Sequence, residues 1–318
     1  MQENTSSDMD KRTNMGLVTV FTPTYNRANT IVRVFESLKK QTDMRFCWLI
    51  VDDGSTDETE QLVGSWIENV YDFEIRYIKK NNGGLHTGYN VAIENSRTEL
   101  MVCIDSDDYM PNDAIELILG HWGKYGADEY AGIIGLDFYH DTNSIVGDPL
   151  PKQLSVNLID LLIGKYKIRN GDRKLVVRTE LYRSVAPMRS FPGEKSFNPH
   201  YMHLLISQSH DFLVLNKNLC YVEYQHDGMT NSIIKQYYSS PNSYLECRKL
   251  NLSLNGTSIA FRLRQCIHYI SSCILSKRYS DMTKNVTSRW ILMLAFPFGV
   301  MLSIWIRLNG KSDKEESL

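Results

Sequence analysis

"FCWLIVDDGSTDETE", residues 46–60, decides how this chain is read. An apolar run from Phe46 to Val51 stops on two adjacent aspartates, then a glycine, then small polar residues. Neighbouring carboxylates repel each other and resist burial. The expectation is therefore that Asp52 and Asp53 stand at the tip of a buried strand, where Asp52 stays hydrated or is bound by loop amides. Gly54 supplies the turn with conformational freedom.

The flanking sequence repeats the arrangement. "LVTVFT" (17–22) reads as a strand broken by "PTYNR", and "NTIVRVFESLKKQ" follows with Ile31, Val34, Phe35 and Leu38 at helical spacing and Asn29 as N-cap. After the second strand, Ser55 and Glu58 have capping-box spacing, and Leu62, Val63, Trp66, Ile67 and Val70 mark a helix face. "FEIRYIKK" is a third strand, residues 85–96 a short helix, "ELMVCID" a fourth strand, and "AGIIGLDFY" a fifth after a helix starting near Asn112. Strands alternating with helices predict right-handed crossovers and a mostly parallel sheet. In such α/β sheets ligands bind at the carboxyl ends of the strands.

Beyond residue 140 the alternation fades. "LSVNLIDLLIGKY" and "NPHYMHLLISQS" read as helical, "RKLVVRTELYRSV" as strand into helix, and "NLCYVEYQ" as strand. The expected division is a polar, disordered tail over 1–16, a ligand-binding half over 17–140, a second half over 141–240 and a basic helical tail over 241–318.

The 318 residues carry a net charge of -2, and 42% are hydrophobic, as in a globular protein. The charge is unevenly spread. Between residues 241 and 307 there are nine lysines and arginines against Glu246 and Asp281 alone. Such a tail suits an anionic surface. Six scattered cysteines lack metal-ligand or redox spacing and read as reduced thiols. Residues 1–16 have no apolar signal core, so no passage into a secretory lumen is expected and the sequons at Asn4, Asn251, Asn255 and Asn285 carry no meaning.

Three segments fall at strand ends: "TPTYNR", "VDDGSTDET" and "CIDSDDYMP". Each alone is an ordinary loop or an acidic helix start. Together, in this order, the fold can gather them at one site. Asp105, Asp107 and Asp108 lie within four residues, a costly arrangement unless a cation sits among them. Carboxylate oxygens suit Mg²⁺ or Mn²⁺, which keep one or two protein carboxylates and spend their other positions on phosphate and water. A nucleoside diphosphate fits that description.

The order "TPTYNR", "VDDGSTDET", "NNGG…N…AI", "DSDD" resembles the inverting glycosyltransferases of family 2, with the GT-A nucleotide-diphospho-sugar transferase fold. The resemblance is strong over 17–140. Over 155–235, "VVRTELYRSV", "FPGEKSFNP" and "EYQHDGMTNS" resemble a bacterial branch that builds surface polysaccharides. It implies a nucleotide-sugar donor, commonly a UDP-sugar, and a divalent cation. It implies that Tyr25 and Asp53 flank the uracil, that Asp52 supports their loop, that Asp105 approaches ribose and metal, and that Asp107 holds the metal. Pro23, Arg27, Gly84, His86, Asn90 and Ser106 belong to the same donor-binding segments.

Inversion needs a general base to take the acceptor's proton. The family supplies an acid just before a helix in the second half, but here "GEKSFNPHYMH" puts His200 at that place. Glu194 is the first candidate because it is a carboxylate. His200 follows, with a suitable ordinary pKa, then Asp227 in "EYQHDGMT", where His226 would close over the diphosphate. "HYMH" lacks a third ligand for zinc; His200 and His203 have the alternative reading of a plain helix surface.

Residues 290–306 are free of charge, lie between Arg289 and Arg307, and carry Trp290 and Trp305 near their ends. Seventeen residues is the lower edge of a spanning helix, and Pro297 and Gly299 interrupt the run. A re-entrant or interfacial helix is expected, with a membrane rather than nucleic acid as the anionic partner. With a polysaccharide transferase, that implies a lipid-linked acceptor at the inner face of the cell membrane, in the cytoplasm. Two rival readings remain from the sequence: a metal-dependent nucleotidyltransferase, for which the glycine-rich phosphate loop is missing, and a catalytically degenerate sugar-nucleotide-binding protein.

Overall fold

The computed structural model describes residues 17–169, 171–223, 232–284 and 288–310. The N-terminal tail, the sequons at Asn4 and Asn285, and the candidates His226 and Asp227 lie outside the described residues. The chain forms two compact units. The first comprises residues up to Asn82, Gly88–Pro187 and Met202–Glu223; the second comprises Gly83–Thr87, Met188–Tyr201 and the described residues from 232 onward. This differs from the expected division at residue 140, because later strands return to the sheet of the first unit.

That sheet has eight strands: β1 (Val18–Thr24), β2 (Phe46–Asp52), β3 (Glu74–Lys79), β4 (Leu100–Cys103), β5 (Tyr130–Tyr139), β6 (Ser155–Val156), β7 (Arg173–Arg178) and β8 (Asp211–Val222). Their order is β3-β2-β1-β4-β7-β5-β8-β6. β1, β2, β3 and β4 pair in parallel, as do β5 and β8. β7 runs antiparallel between β4 and β5, and β6 antiparallel to β8. The sheet is thus parallel from β1 to β4 and mixed beyond them.

All seven residues of β2 are buried, as in a strand covered on both faces. One cover is α1 (Ala28–Leu38), whose Ile31, Val34, Phe35 and Leu38 point inward at three- and four-residue spacing. Another is α2 (Thr59–Ile67), which contributes Val63 and Trp66. Phe35 stacks on Trp66 with centroids 4.2 Å apart, and Trp48 of β2 lies 5.7 Å from Trp66. Trp48 Nε1 donates to Thr22 Oγ1 at 2.9 Å, so the buried indole keeps its polar group satisfied.

Two helix starts differ from the sequence expectation. α1 begins at Ala28 with Arg27 at its N-cap, ahead of Asn29. α2 begins at Thr59, where the carboxylate of Asp57 accepts from the Thr59 N–H (3.1 Å) and hydroxyl (2.6 Å). Ser55 is used elsewhere, as described below.

α3 (Leu85–Asn95) follows β3, and α4 (Ala114–Tyr125) follows β4. Gln41 locks α1 to the turn that precedes α4. Its amide donates to the carbonyls of Ser37 (3.1 Å) and Pro111 (2.8 Å), and its oxygen accepts from Ile115 N (3.1 Å). The acidic turn at 105–108 is therefore pinned at its far end. α5 (Leu158–Leu162) is shorter than the run "LSVNLIDLLIGKY" suggests, because Ser155 and Val156 pair with β8 instead. α6 (Thr179–Val185) follows β7 directly, as expected.

Described by itself, the second unit is helical: α8 (Ile233–Ser239), α9 (Pro241–Ser253), α10 (Ile259–Leu275) and α11 (Arg289–Asn309). Ahead of them in the chain comes α7 (His200–Ile206). α11 runs unbroken through Pro297, contrary to the interrupted segment expected. One strip of it, Ile291, Ala295, Gly299, Ser303 and Ile306, is buried. Ile291 and Ala295 pack with Cys266 and Ile270 of α10. At Gly299 an added Cβ would lie 2.7 Å from Ile270, so the two helices approach as closely as a glycine allows.

Candidate functional site

The first two strand-end loops of the first unit are laced together. Asn26 adopts a left-handed conformation (φ 52°), which a short polar side chain tolerates. Its N–H donates to Ser55 Oγ (2.8 Å), and its side-chain oxygen accepts from Thr56 N (2.8 Å). Ala28 N donates to the Asp57 carboxylate at 3.0 Å. These bonds leave Tyr25 at the apex, 48% exposed. Pro23 and Arg27 beside it are half-buried.

The two adjacent aspartates do different things. Asp52 is fully buried. One oxygen accepts from Ser55 N at 2.7 Å and the other from the Tyr77 hydroxyl. Of the two environments expected for Asp52, the loop-amide one holds, and its carboxylate faces inward rather than toward a ligand. It closes the turn that carries Asp53. Asp53 N extends the ladder to Thr24 O (2.8 Å), and its carboxylate pairs with Lys80. Gly54 sits at φ +86° with the Lys80 carbonyl 3.1 Å from where a Cβ would be. Lys80 and Tyr77 were missed in the sequence. The parallel register Asp52↔Lys79 is the signal that would have placed Lys80 beside Asp53.

The third loop splits the same way. Asp105 is exposed, Asp107 half-buried, and Ser106 and Asp108 buried. Asp108 N donates to Asp105 O (3.0 Å), closing a turn. Burial pushes Asp107 above the ordinary carboxylate range; the charge of Asp105 adds to that, while Arg27 and Arg33 oppose it. Asp108 is turned inward toward Lys174 of β7, 3.9 Å away, and so leaves the set of outward donors. Burial pushes Asp108 up to about 8 against the pull of Lys174. Asp105 and Asp107 remain as oxygen donors whose mutual repulsion a divalent cation would relieve. Among the described residues no three His, Cys, Asp or Glu side chains enclose an ion. Two carboxylates fit a cation that takes its other ligands from diphosphate and water.

Asn90, on α3 in the first unit, is half-buried. Gly84 and His86 belong to the second unit. Gly84 has φ +89°, and a Cβ there would come within 1.9 Å of the Lys195 carbonyl, so only glycine fits against the "GEKS" backbone. His86 is 1% exposed; its Nε2 lies 3.4 Å from Ser190 Oγ, and its ring centroid is 5.9 Å from that of Phe197. It therefore supports this loop from within.

Glu194 is buried, and both its oxygens are engaged. Oε1 accepts from Asn242 N (2.9 Å) and Nδ2 (2.8 Å); Oε2 accepts from Ser243 N (2.7 Å) and Oγ (2.7 Å). Those amides are the open donors behind Pro241 at the start of α9, so Glu194 caps a helix from another part of the chain. With both oxygens committed to four donors, Glu194 has no open position for an acceptor hydroxyl, which argues against it as the base. His200 is the remaining described candidate, and burial pulls its pKa below the ordinary value. His203 is structural: its Nε2 lies 2.7 Å from the buried Tyr182 hydroxyl.

Comparison with known proteins adds four findings. Residues 19–183, half of the chain, match the family described as "Glycosyl transferase family 2". Chondroitin synthase of Pasteurella multocida (strain Pm70) is 37% identical over 110 residues, which cover 34% of this chain but only 11% of that relative's length. Among solved structures, residues 1–349 of TarS from S. aureus in complex with UDP-GlcNAc superpose with a TM-score of 0.56 at 18% identity, covering 91% of this chain and 90% of that one. The mannosyltransferase PcManGT from Pyrobaculum calidifontis, in complex with GDP-Man and Mn²⁺, gives 0.54 at 16% identity, covering 94% and 77%. At these identities the two structures establish the fold, a GT-A-like mixed sheet with flanking helices.

The cap assigned to Glu194 has a measurable consequence. Glu194→Ala leaves the donors of half-buried Asn242 and buried Ser243 without acceptors, at a cost of roughly 2–3 kcal/mol. Thermal unfolding should show a clearly lowered midpoint. An unchanged midpoint with abolished turnover would instead return Glu194 to the chemistry.

Proposed function

The chain belongs to glycosyl transferase family 2, and on that premise we propose that it moves a sugar, with inversion, from a nucleotide-sugar donor to a hydroxyl of a lipid-linked glycan in surface-polysaccharide synthesis. The observation that carries this reading is the rim of the first unit. There an exposed tyrosine, an ion-paired aspartate and two crowded carboxylates stand at three adjacent strand ends. Relatives support the choice of donor and product. One is a chondroitin synthase, and TarS is held in complex with UDP-GlcNAc. We therefore take the donor as a UDP-sugar.

In this reading Tyr25 offers an aromatic face to the uracil, and Asp53 accepts from its imide while Lys80 holds the carboxylate in place. Asp105 and Asp107 would hold Mg²⁺ or Mn²⁺ with the diphosphate. When bound, that ion neutralises charge developing on the leaving diphosphate. The acceptor hydroxyl attacks the anomeric carbon in line, and its proton goes to a base. We assign the base to His200 on its place in the sequence, where the family has an acid before a helix; burial lowers its pKa, which favours the neutral imidazole.

Donor hydrolysis over a panel of nucleotide sugars, with and without Mn²⁺, tests the reading. Asp107→Asn should lower metal-dependent hydrolysis by on the order of 10²-fold or more while leaving the fold intact. Unchanged hydrolysis in that variant removes Asp107 from the site. Binding of a donor with no hydrolysis or transfer under any condition favours the degenerate binding protein.

The base assignment has its own signature. Because the folded pKa of His200 lies below 6.5, the neutral ring persists to lower pH than in an exposed histidine. The rate should fall only as pH drops through that lowered value, placing the acid limb below pH 6.5. His200→Ala should keep UDP affinity and lose transfer. An active His200→Ala enzyme would send the role elsewhere.

We also propose that α11 lies on the cytoplasmic face of a membrane. It is the one described helix long and apolar enough to cross a bilayer, yet only 28% of its apolar window is buried. Trp290, Met293, Phe298, Met301 and Trp305 are exposed along it. Its 21 residues span about 31 Å. One strip is committed to α10, which carries Gln265, His268 and two arginines, so an in-plane position suits it better than a span. Lys249, Arg278 and Lys284 pair with Glu246 or Asp281. Arg289 and Arg307 flank the apolar face, where anionic headgroups would meet them. Phe298→Glu with Met301→Glu changes only exposed positions. It should release the protein from anionic vesicles without lowering its melting temperature. Equal vesicle binding by the variant would remove the lipid surface as partner.

A further inference from the structure

Beneath the acidic turn of the first unit lies a buried charged group that the transfer reaction, as described, leaves unused. Lys174 sits on β7, between β4 and β5, and is 8% exposed. Its ammonium is 3.9 Å from Asp108 Oδ2 and 3.9 Å from Asp137 Oδ2. Asp137, on β5, is 2% exposed, and its second oxygen has no hydrogen-bond partner. Cys220 of β8 approaches Asp108 Oδ2 at 3.8 Å. Four strands or strand ends thus converge on one ammonium.

Such a group is poor at stabilising a fold. Desolvating an ammonium and its acidic partners costs as much as their attraction returns, and apolar residues of similar volume serve equally well. What the ammonium does have is a place directly under the turn that carries Asp105 and Asp107. The turn is closed by Asp108 N to Asp105 O at 3.0 Å. The side chain of Asp108 points down to Lys174, and the turn's far end is pinned by Gln41 at Pro111. Pulling Asp108 inward separates it from its two neighbours and aims them outward. The charge of Asp105 is also felt at Lys174, so the ammonium offsets part of the acidic crowding.

We propose that Lys174 is a positioning residue for the donor site: by holding Asp108 against Asp137 it fixes the 105–108 turn so that Asp105 and Asp107 present their carboxylates to the metal-diphosphate. This rests on the donor-site reading given above and adds to it the residue that shapes the site from within. The sequence carried a signal, a lysine inside the apolar strand "RKLVVR", but no reason to connect it with residue 108.

The test is calorimetric titration of UDP at saturating Mn²⁺, paired with melting temperature. Lys174→Met combined with Asp137→Asn removes one charge of each sign and keeps the net charge, so a change in affinity reports on geometry. The expected result is a variant that melts within a few degrees of the parent and binds UDP about tenfold more weakly or worse. Asp108→Ala, which removes the contact but leaves the Lys174–Asp137 pair intact, should show the same loss and covers the case in which the double variant fails to fold. Folded variants that bind UDP as tightly as the parent overturn the proposal, whatever their melting temperatures. A parent that binds no UDP with Mn²⁺ overturns the donor reading itself, and this inference with it.

Discussion

Repulsion between carboxylates crowded at the ends of β2 and β4 is the constraint on which the site depends. The chain resolves it twice in one way. At each strand end one aspartate is turned into the protein and given internal partners, which leaves its neighbours facing out. Asp52 goes inward to Ser55 N and the Tyr77 hydroxyl, and Asp53 stays half-buried, paired with Lys80. Asp108 goes inward to Lys174, and Asp105 and Asp107 remain above it. The inward members cost desolvation and therefore need partners with good geometry. Asp105 and Asp107 keep a repulsion that a metal-bound diphosphate would relieve.

The scaffold follows from that need. A parallel pairing of β1, β2 and β4 brings three strand ends to one edge, and covering helices on β2 require it to be apolar along its length. Gln41 and the Asn26–Ser55 lacing then hold the loops between those ends. Affinity for a ligand gains when such loops are already ordered, because less freedom is lost on binding.

Much of this was legible in the chain. The spacing of Ile31, Val34, Phe35 and Leu38 and the run Phe46–Val51 predict their elements, and the strand-end acids mark the loops that form the candidate site. What was not legible depends on partners distant in sequence. Glu194 reads as a loop acid with catalytic promise, but its environment is set by Asn242 and Ser243, 48 and 49 residues on. Asp52 and Asp53 are chemically identical in the sequence, and the register of β3 together with the Ser55 amide separates their fates. Ser55 has the spacing of a helix cap, yet Asn26 competes for it and wins. The strand β7 could be read locally, but its antiparallel insertion between β4 and β5, which puts Lys174 under the acidic turn, is a property of topology.

The central claim is that this rim binds a uridine nucleotide with a divalent cation. Titration of UDP into the full chain and its Asp53→Ala variant, with and without Mn²⁺, tests it most directly. The account predicts binding that requires Mn²⁺ and that weakens in the variant by about 10- to 100-fold, the equivalent of one lost charge-assisted hydrogen bond. UDP binding that ignores both Mn²⁺ and residue 53, or no UDP binding at all, would contradict it.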